Sequence, residues 1–311
     1  MTKARDLDWS EARASAEKCL AGVTAVRVPG ASEGVEISTL DWGGDGPLAF
    51  FHHANGFCAA TLAPVAQALR DRFRVVAMDC RGHGDSTSVP PEGDAYAWSR
   101  LAADVERVVE ATLERTGRDR VAFALGHSFG GALLLRAASL GRTPIDRLLL
   151  CDPVIHPKPA PGSPRPGRGP GLAEATRKRR DRFPSFAAAY DHCRTRGLFA
   201  DFTAEALALY VGEGMTSTED GREIALKCDR EVEAAIFDGN GSSICAEDVE
   251  AVRARTLFVH AQRGNFDAAT FEAVASRMSD ARVESRDLGH LFPLEEPEAA
   301  LTLAHELLRD G

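Results

Sequence analysis

A short apolar run, Val121-Ala122-Phe123-Ala124-Leu125, stops at Gly126-His127-Ser128-Phe129-Gly130-Gly131, and an Ala/Leu-rich stretch follows from Ala132 to Leu140. Such a run, bounded by glycines, reads as a buried strand. Alanine and leucine are strong helix formers, so the stretch beyond reads as a buried helix. Between them lies G-x-S-x-G. Small residues two before and two after the serine let the backbone turn sharply and lift its hydroxyl to the top of a sheet. A serine hydroxyl is a weak nucleophile until it is exposed and loses its proton. This juxtaposition therefore calls for a strand, a tight elbow and a helix, with Ser128 as the candidate nucleophile.

The rest of the chain supplies the sheet such an elbow needs. Val23–Val28 and Val35–Trp42 read as two opening strands. Strands at Leu48–Phe51, Arg74–Met78, Arg120–Leu125 and Arg147–Cys151 then alternate with helices at Ala59–Arg70, Trp98–Thr116 and Phe129–Leu140. Alternation of this kind predicts right-handed β-α-β crossovers and a mostly parallel sheet. After Asp152 the rhythm breaks at a Pro/Gly-rich stretch from His156 to Gly171. The pattern from Leu172 to about Asp248 is mainly helical, with segments at Phe186–Cys193, Ala204–Val211 and Glu231–Phe237. The sheet resumes with Thr256–His260 and Arg282–Arg286, flanked by helices Ala268–Met278 and Glu295–Arg309. The expected organisation is an α/β core over 1–154 and 249–311, with an inserted helical cap over 155–248. Arg177-Lys178-Arg179-Arg180 reads as a solvated helix face.

Further motifs stand in a fixed order around the elbow. Pro47-Leu48-Ala49-Phe50-Phe51 leads into His52-His53-Ala54-Asn55-Gly56-Phe57. Phe73–Met78 leads into Asp79-Cys80-Arg81-Gly82-His83-Gly84-Asp85-Ser86, and Asp287-Leu288-Gly289-His290-Leu291-Phe292-Pro293 lies near the C-terminus. With these residues the chain resembles the α/β-hydrolase superfamily. It looks most like bacterial serine hydrolases that carry a H-A-N-G-F loop and a D-P-V segment. The resemblance runs from about Gly34 to Arg309 and implies an α/β-hydrolase fold: a mostly parallel central sheet flanked by helices, with an inserted cap.

The resemblance also implies roles. Ser128 is the expected nucleophile and His290 the expected general base, since an imidazole titrates near neutrality and can take and return a proton. His83 lies in a tight turn, His260 ends an apolar strand and His305 sits in the last helix. A carboxylate must hold the imidazole in its working tautomer. Many relatives place it just after the strand that corresponds to Thr256–His260. Here that segment reads Ala261-Gln262-Arg263-Gly264-Asn265-Phe266-Asp267, with Gly264 or Asn265 at the expected position. Another subset places the acid one strand earlier, where this chain has Asp152 at the end of Leu148–Cys151. Asp152 is the expected acid, with Asp267 the alternative. The oxyanion donors implied are the backbone N–H groups of Phe129 and Asn55, with Ala54 one residue away. His53, Phe57, His127 and Phe292 are the expected substrate contacts, and Phe183 and Phe186 further candidates for an apolar lining.

Composition narrows the classes. The chain has 311 residues, 44% of them hydrophobic, enough for one large core. A net charge of −9 argues against nucleic acid or an anionic membrane as partner. Met1–Asp6 contains no apolar h-region and no segment reaches 18 uninterrupted apolar residues, so neither a secretory signal nor a membrane span is expected. Seven scattered cysteines without a C-x-x-C pair suggest reduced thiols and a cytoplasmic location. No metal and no cofactor are expected, and the expected partner is a small-molecule substrate. The chemistry implied is hydrolysis of a carboxylic ester, thioester or lactone through an acyl-enzyme. A carbon–carbon bond hydrolase using the same residues is one alternative, and a non-catalytic ligand-binding protein on the same fold another.

Overall fold

The computed structural model describes residues 2–155, 171–239 and 246–309. In chain order, helix α1 (Trp9–Cys19) precedes strands β1 (Thr24–Pro29), β2 (Glu36–Asp41) and β3 (Leu48–His52). Helix α2 (Ala63–Leu69), entered through a 3₁₀ turn at Ala59–Leu62, leads to β4 (Arg74–Met78) and α3 (Trp98–Thr116). Next come β5 (Val121–His127), α4 (Phe129–Ser139) and β6 (Arg147–Cys151). The inserted region holds α5 (Gly171–Lys178), β7 (Arg182–Phe183), α6 (Phe186–Cys193), α7 (Ala204–Gly214), β8 (Met215–Ser217), β9 (Ile224–Leu226), α8 (Arg230–Asp238) and α9 (Ala246–Val249). The chain closes with β10 (Arg255–Ala261), α10 (Ala268–Ala275), β11 (Ala281–Arg286), α11 (Phe292–Glu295) and α12 (Pro297–Arg309).

Eight strands form one sheet in the order β1-β2-β4-β3-β5-β6-β10-β11. β1 and β2 pair antiparallel, as do β2 and β4; every other pairing in this sheet is parallel. Parallel strands are covered on both faces and read as continuous apolar runs. The alternation of side chains divides those runs between two cores. Phe51, Phe123, Leu125 and Leu149 point into one core with α2 and α12. Phe50, Ala124, Leu148 and Leu150 point into the other, with α3, α4 and α10.

Two features depart from the expected organisation. The inserted region also contains a small antiparallel sheet, β7-β9-β8, whose strands of two or three residues are too short to show a period. The N-terminal segment, expected to lie with the α/β core, touches α2 of that core and packs against the insertion as well. α1 lies on α7, Ala4 N–H donates to the Phe202 carbonyl, and the Tyr190 hydroxyl donates to the Ala4 carbonyl. A reciprocal capping box between Asp8 and Glu11 starts α1 at that contact. The Pro/Gly-rich stretch 156–170 and Cys245 lie outside the described residues; the other six cysteines are free thiols. Among the described residues no helix is long and apolar enough to cross a membrane.

Candidate active site

Ser128 stands between β5 and α4 with φ 55° and ψ −118°, a conformation that a non-glycine residue holds only where its surroundings impose it. Both flanks do so. Its N–H donates to the Cys151 carbonyl and its carbonyl accepts from Val154 N–H, tying the elbow to the end of β6. A Cβ at Gly126 would lie 2.5 Å from Gly131 Cα, and one at Gly130 would meet His52 Nδ1 at 2.5 Å. The two glycines of the motif are thus required by close backbone approach.

His290 reaches back to this elbow from the loop after β11. Its Nε2 lies 3.0 Å from Ser128 Oγ and its Nδ1 2.6 Å from Asp152 Oδ2. With Nδ1–H donating to the carboxylate, Nε2 is free to accept the serine proton. Asp152 follows β6 at φ 44° and is fully buried. Its other oxygen accepts the Ala261 N–H at 3.0 Å, so the carboxylate is held from two sides. Of the two candidate acids, Asp152 is therefore the one in contact with His290. Asp267 caps α10 instead, accepting the Ala269 N–H at 3.0 Å.

The loop after β3 is fixed by neutral histidines. His53 donates from Nδ1 to the Ala54 carbonyl and accepts the Cys80 N–H at Nε2. His83 donates to the Arg81 carbonyl and accepts the Gly56 N–H. Burial holds His53 well below the usual imidazole range and brings His83 down to about 4, as these accepting nitrogens require. Asn55 Nδ2 donates to the Glu233 carbonyl on α8. Among the described residues no hydrogen bond uses the backbone N–H of Ala54, Asn55 or Phe129. Phe129 opens α4, where a helix has no internal acceptor to offer.

A family model described as "Alpha/beta hydrolase family" matches residues 43–302. The chain belongs to this family. A curated relative of this family member, protein phosphatase methylesterase 1 of Gibberella zeae, is 35% identical over 106 residues, covering 32% of this chain and 26% of that protein. The bifunctional esterase/perhydrolase DCH of Acinetobacter calcoaceticus is 42% identical over 101 residues, covering 32% and 34%. The matched stretch thus spans between a quarter and about a third of these relatives' length. Among solved structures, E-2-(acetamidomethylene)succinate hydrolase superposes with a TM-score of 0.72 at 20% identity, covering 92% of this chain and 99% of that one. A thermophilic esterase from Thermogutta terrifontis gives 0.64 at 23% identity, covering 92% and 98%. These likenesses establish the fold.

Several substrate contacts expected for this α/β hydrolase are structural in their place. His53 is fully buried with both ring nitrogens engaged. His127 is 1% exposed; its Nε2–H donates to the His290 carbonyl at 2.9 Å, and burial holds its pKa down at about 3. Phe292 and Phe183 are buried in the apolar core, and Phe186 stacks on Trp9. Phe57 remains at the loop, its ring 5.4 Å from that of Tyr210 and 6.0 Å from that of Phe202. A cavity of about 420 Å³ opens beside His290, bounded by Arg263 and Asn265 of the core and by Leu198 and Asp201 of the insertion.

The basic run is not one solvated face. Arg177 and Lys178 are exposed and ion-paired on the surface, whereas Arg179, just beyond the end of α5, turns inward to Glu233. No spacing signal marks it, because the helix period stops one residue before it.

Proposed function

We propose that this chain is a serine hydrolase acting on a small or medium carboxylic ester, thioester or lactone. The observation that carries the reading is the line of contacts from Ser128 Oγ through His290 to Asp152, at 3.0 and 2.6 Å. In this reading His290 Nε2 takes the Ser128 proton as Oγ attacks the carbonyl carbon. The carbonyl oxygen becomes an oxyanion and accepts from the Phe129 and Asn55 N–H groups, donors typically worth about 3–4 kcal/mol of transition-state stabilisation each. Collapse expels the alcohol or thiol, which leaves with the proton from His290. Water, deprotonated by the same imidazole, then attacks the acyl-enzyme and releases the acid, restoring Ser128. Asp152 keeps the imidazole in its working tautomer and stabilises the imidazolium.

The inserted region acts as a cap over this site, and it bounds one side of the cavity beside His290. The esterase names of the curated relatives agree with this chemistry. A panel of p-nitrophenyl esters, thioesters and lactones tests it. The reading predicts turnover of at least one class by the wild type and none above background by Ser128→Ala. Turnover retained in the variant would refute it.

A further inference from the structure

Two residues of the insertion, Glu233 and Tyr210, meet the short loop Asn55-Gly56-Phe57, and a third, Arg179, stands behind them. Glu233 Oε1 lies so close to Gly56 that an added Cβ would meet it at 2.5 Å, and the Glu233 carbonyl accepts from Asn55 Nδ2. Tyr210 packs its ring on Phe57. Arg179 brings Nη2 to 2.5 Å from Glu233 Oε2, and its charge acts on the Tyr210 hydroxyl as well as on Glu233.

The hydrogen bonding of this cluster is incomplete. Arg179 Nε is buried with no partner, and the approach of Nη2 to Glu233 Oε2 lacks hydrogen-bond alignment, leaving both atoms with unspent capacity. The Tyr210 hydroxyl, on a residue 3% exposed, makes no hydrogen bond among the described residues and, unlike Arg179 Nε, keeps some access to solvent. Folded proteins satisfy nearly all buried polar groups, because an unpaired one is costly. An ion pair that served only to fasten the insertion would be expected to align its hydrogen bonds.

We propose that Arg179, Tyr210 and Glu233 form a specificity site over the Asn55–Phe57 loop, which takes an uncharged hydrogen-bond acceptor carried on the substrate's acyl chain. The class follows from the charges. Arg179 and Glu233 together are net neutral, so a ligand carboxylate would be repelled by Glu233. A ketone, ether or amide oxygen can instead accept from Arg179 Nε–H and the Tyr210 hydroxyl without adding charge. The site lies one to two residues along the loop from Asn55, and neighbouring Cα atoms are about 3.8 Å apart. The acceptor therefore sits several bonds from the scissile carbonyl.

This inference rests on reading Asn55–Phe57 as the oxyanion loop, and binding to a Ser128→Ala protein tests it without turnover. The probes are methyl 4-oxopentanoate, methyl pentanoate and monomethyl succinate, measured by titration calorimetry. The 4-oxo ester is expected to bind about ten-fold more tightly than the other two, because a donor left unpaired rejects the analogue that lacks the acceptor. Arg179→Met is expected to abolish that preference. Tyr210→Phe, which keeps the ring packing, is expected to weaken it. Equal binding of the two neutral esters, tighter binding of monomethyl succinate, or a preference untouched by both substitutions would overturn the proposal. A wild type that binds selectively yet hydrolyses nothing would count against the hydrolase reading alone.

Discussion

Gly264 leaves room for Asp152: a Cβ there would lie 2.7 Å from Asp152 Oδ2. Gly264, one of the two residues at the position where many relatives carry the acid, and Asp152, the proposed acid arriving from β6, are thus two sides of one arrangement. Asp152→Asn is expected to lower kcat by on the order of 10³- to 10⁴-fold, since an amide favours the wrong tautomer of His290. Asp267→Asn is expected to change kcat less than two-fold, roughly, because asparagine caps a helix about as well as aspartate. Gly264→Ala should fall between them by displacing the carboxylate. Steady-state kinetics of the three variants on one ester decide the assignment, and equal activity of the two Asn variants would contradict it.

The contact from His127 to the His290 carbonyl predicts a positioning effect on the proposed base. His127→Leu removes the donor and leaves a carbonyl without its partner, a change that costs about 1–3 kcal/mol. We expect kcat to fall by about 10-fold or more with little change in KM. His127→Gln keeps an N–H donor and should recover part of the loss. Thermal melts run beside the kinetics would separate this from general unfolding.

Burial holds His52 and His83 down at about 4 and His127 at about 3, against about 6.5 in the unfolded chain. Between those values the unfolded state binds protons that the folded state refuses. Stability is therefore present above about pH 6.5 and is lost as pH falls towards 4, each such proton contributing at most about 1.4 kcal/mol per pH unit. Asp79, raised to about 6 by burial, works in the opposite sense over part of that window. Glu106, Glu233 and Glu295, raised by burial, act with Asp79. His53, held well below the usual range, and His192 act with the other histidines, and we expect the buried histidines to set the net sign. Urea unfolding midpoints measured from pH 7 to pH 4.5 should fall steadily, and a flat or rising profile would contradict the burial of these rings.

Much of this was readable because the core elements carry strong local signals. Helix Trp98–Thr116 has an apolar stripe ended by Gly117 in the left-handed conformation, and Arg147–Cys151 is an uninterrupted apolar strand. The elbow announced itself through glycines that close packing requires. What escaped was set by tertiary contacts. Arg179 looked like its exposed neighbours because the inward turn of one half-buried arginine depends on Glu233, more than fifty residues away. The docking of α1 on α7 joins Trp9–Cys19 to Ala204–Gly214, far apart in sequence, so neither half of the contact has a local signature. His127 and His53 looked like ligand contacts because an imidazole beside a nucleophile has the same letters whether it faces substrate or backbone.

The most direct test of the central claim is the intact mass of the protein after exposure to a fluorophosphonate probe, with Ser128→Ala alongside. An activated Ser128 predicts one probe adduct per wild-type chain and none on the variant. Folded wild-type protein that stays unlabelled, or a variant that labels equally, would contradict it.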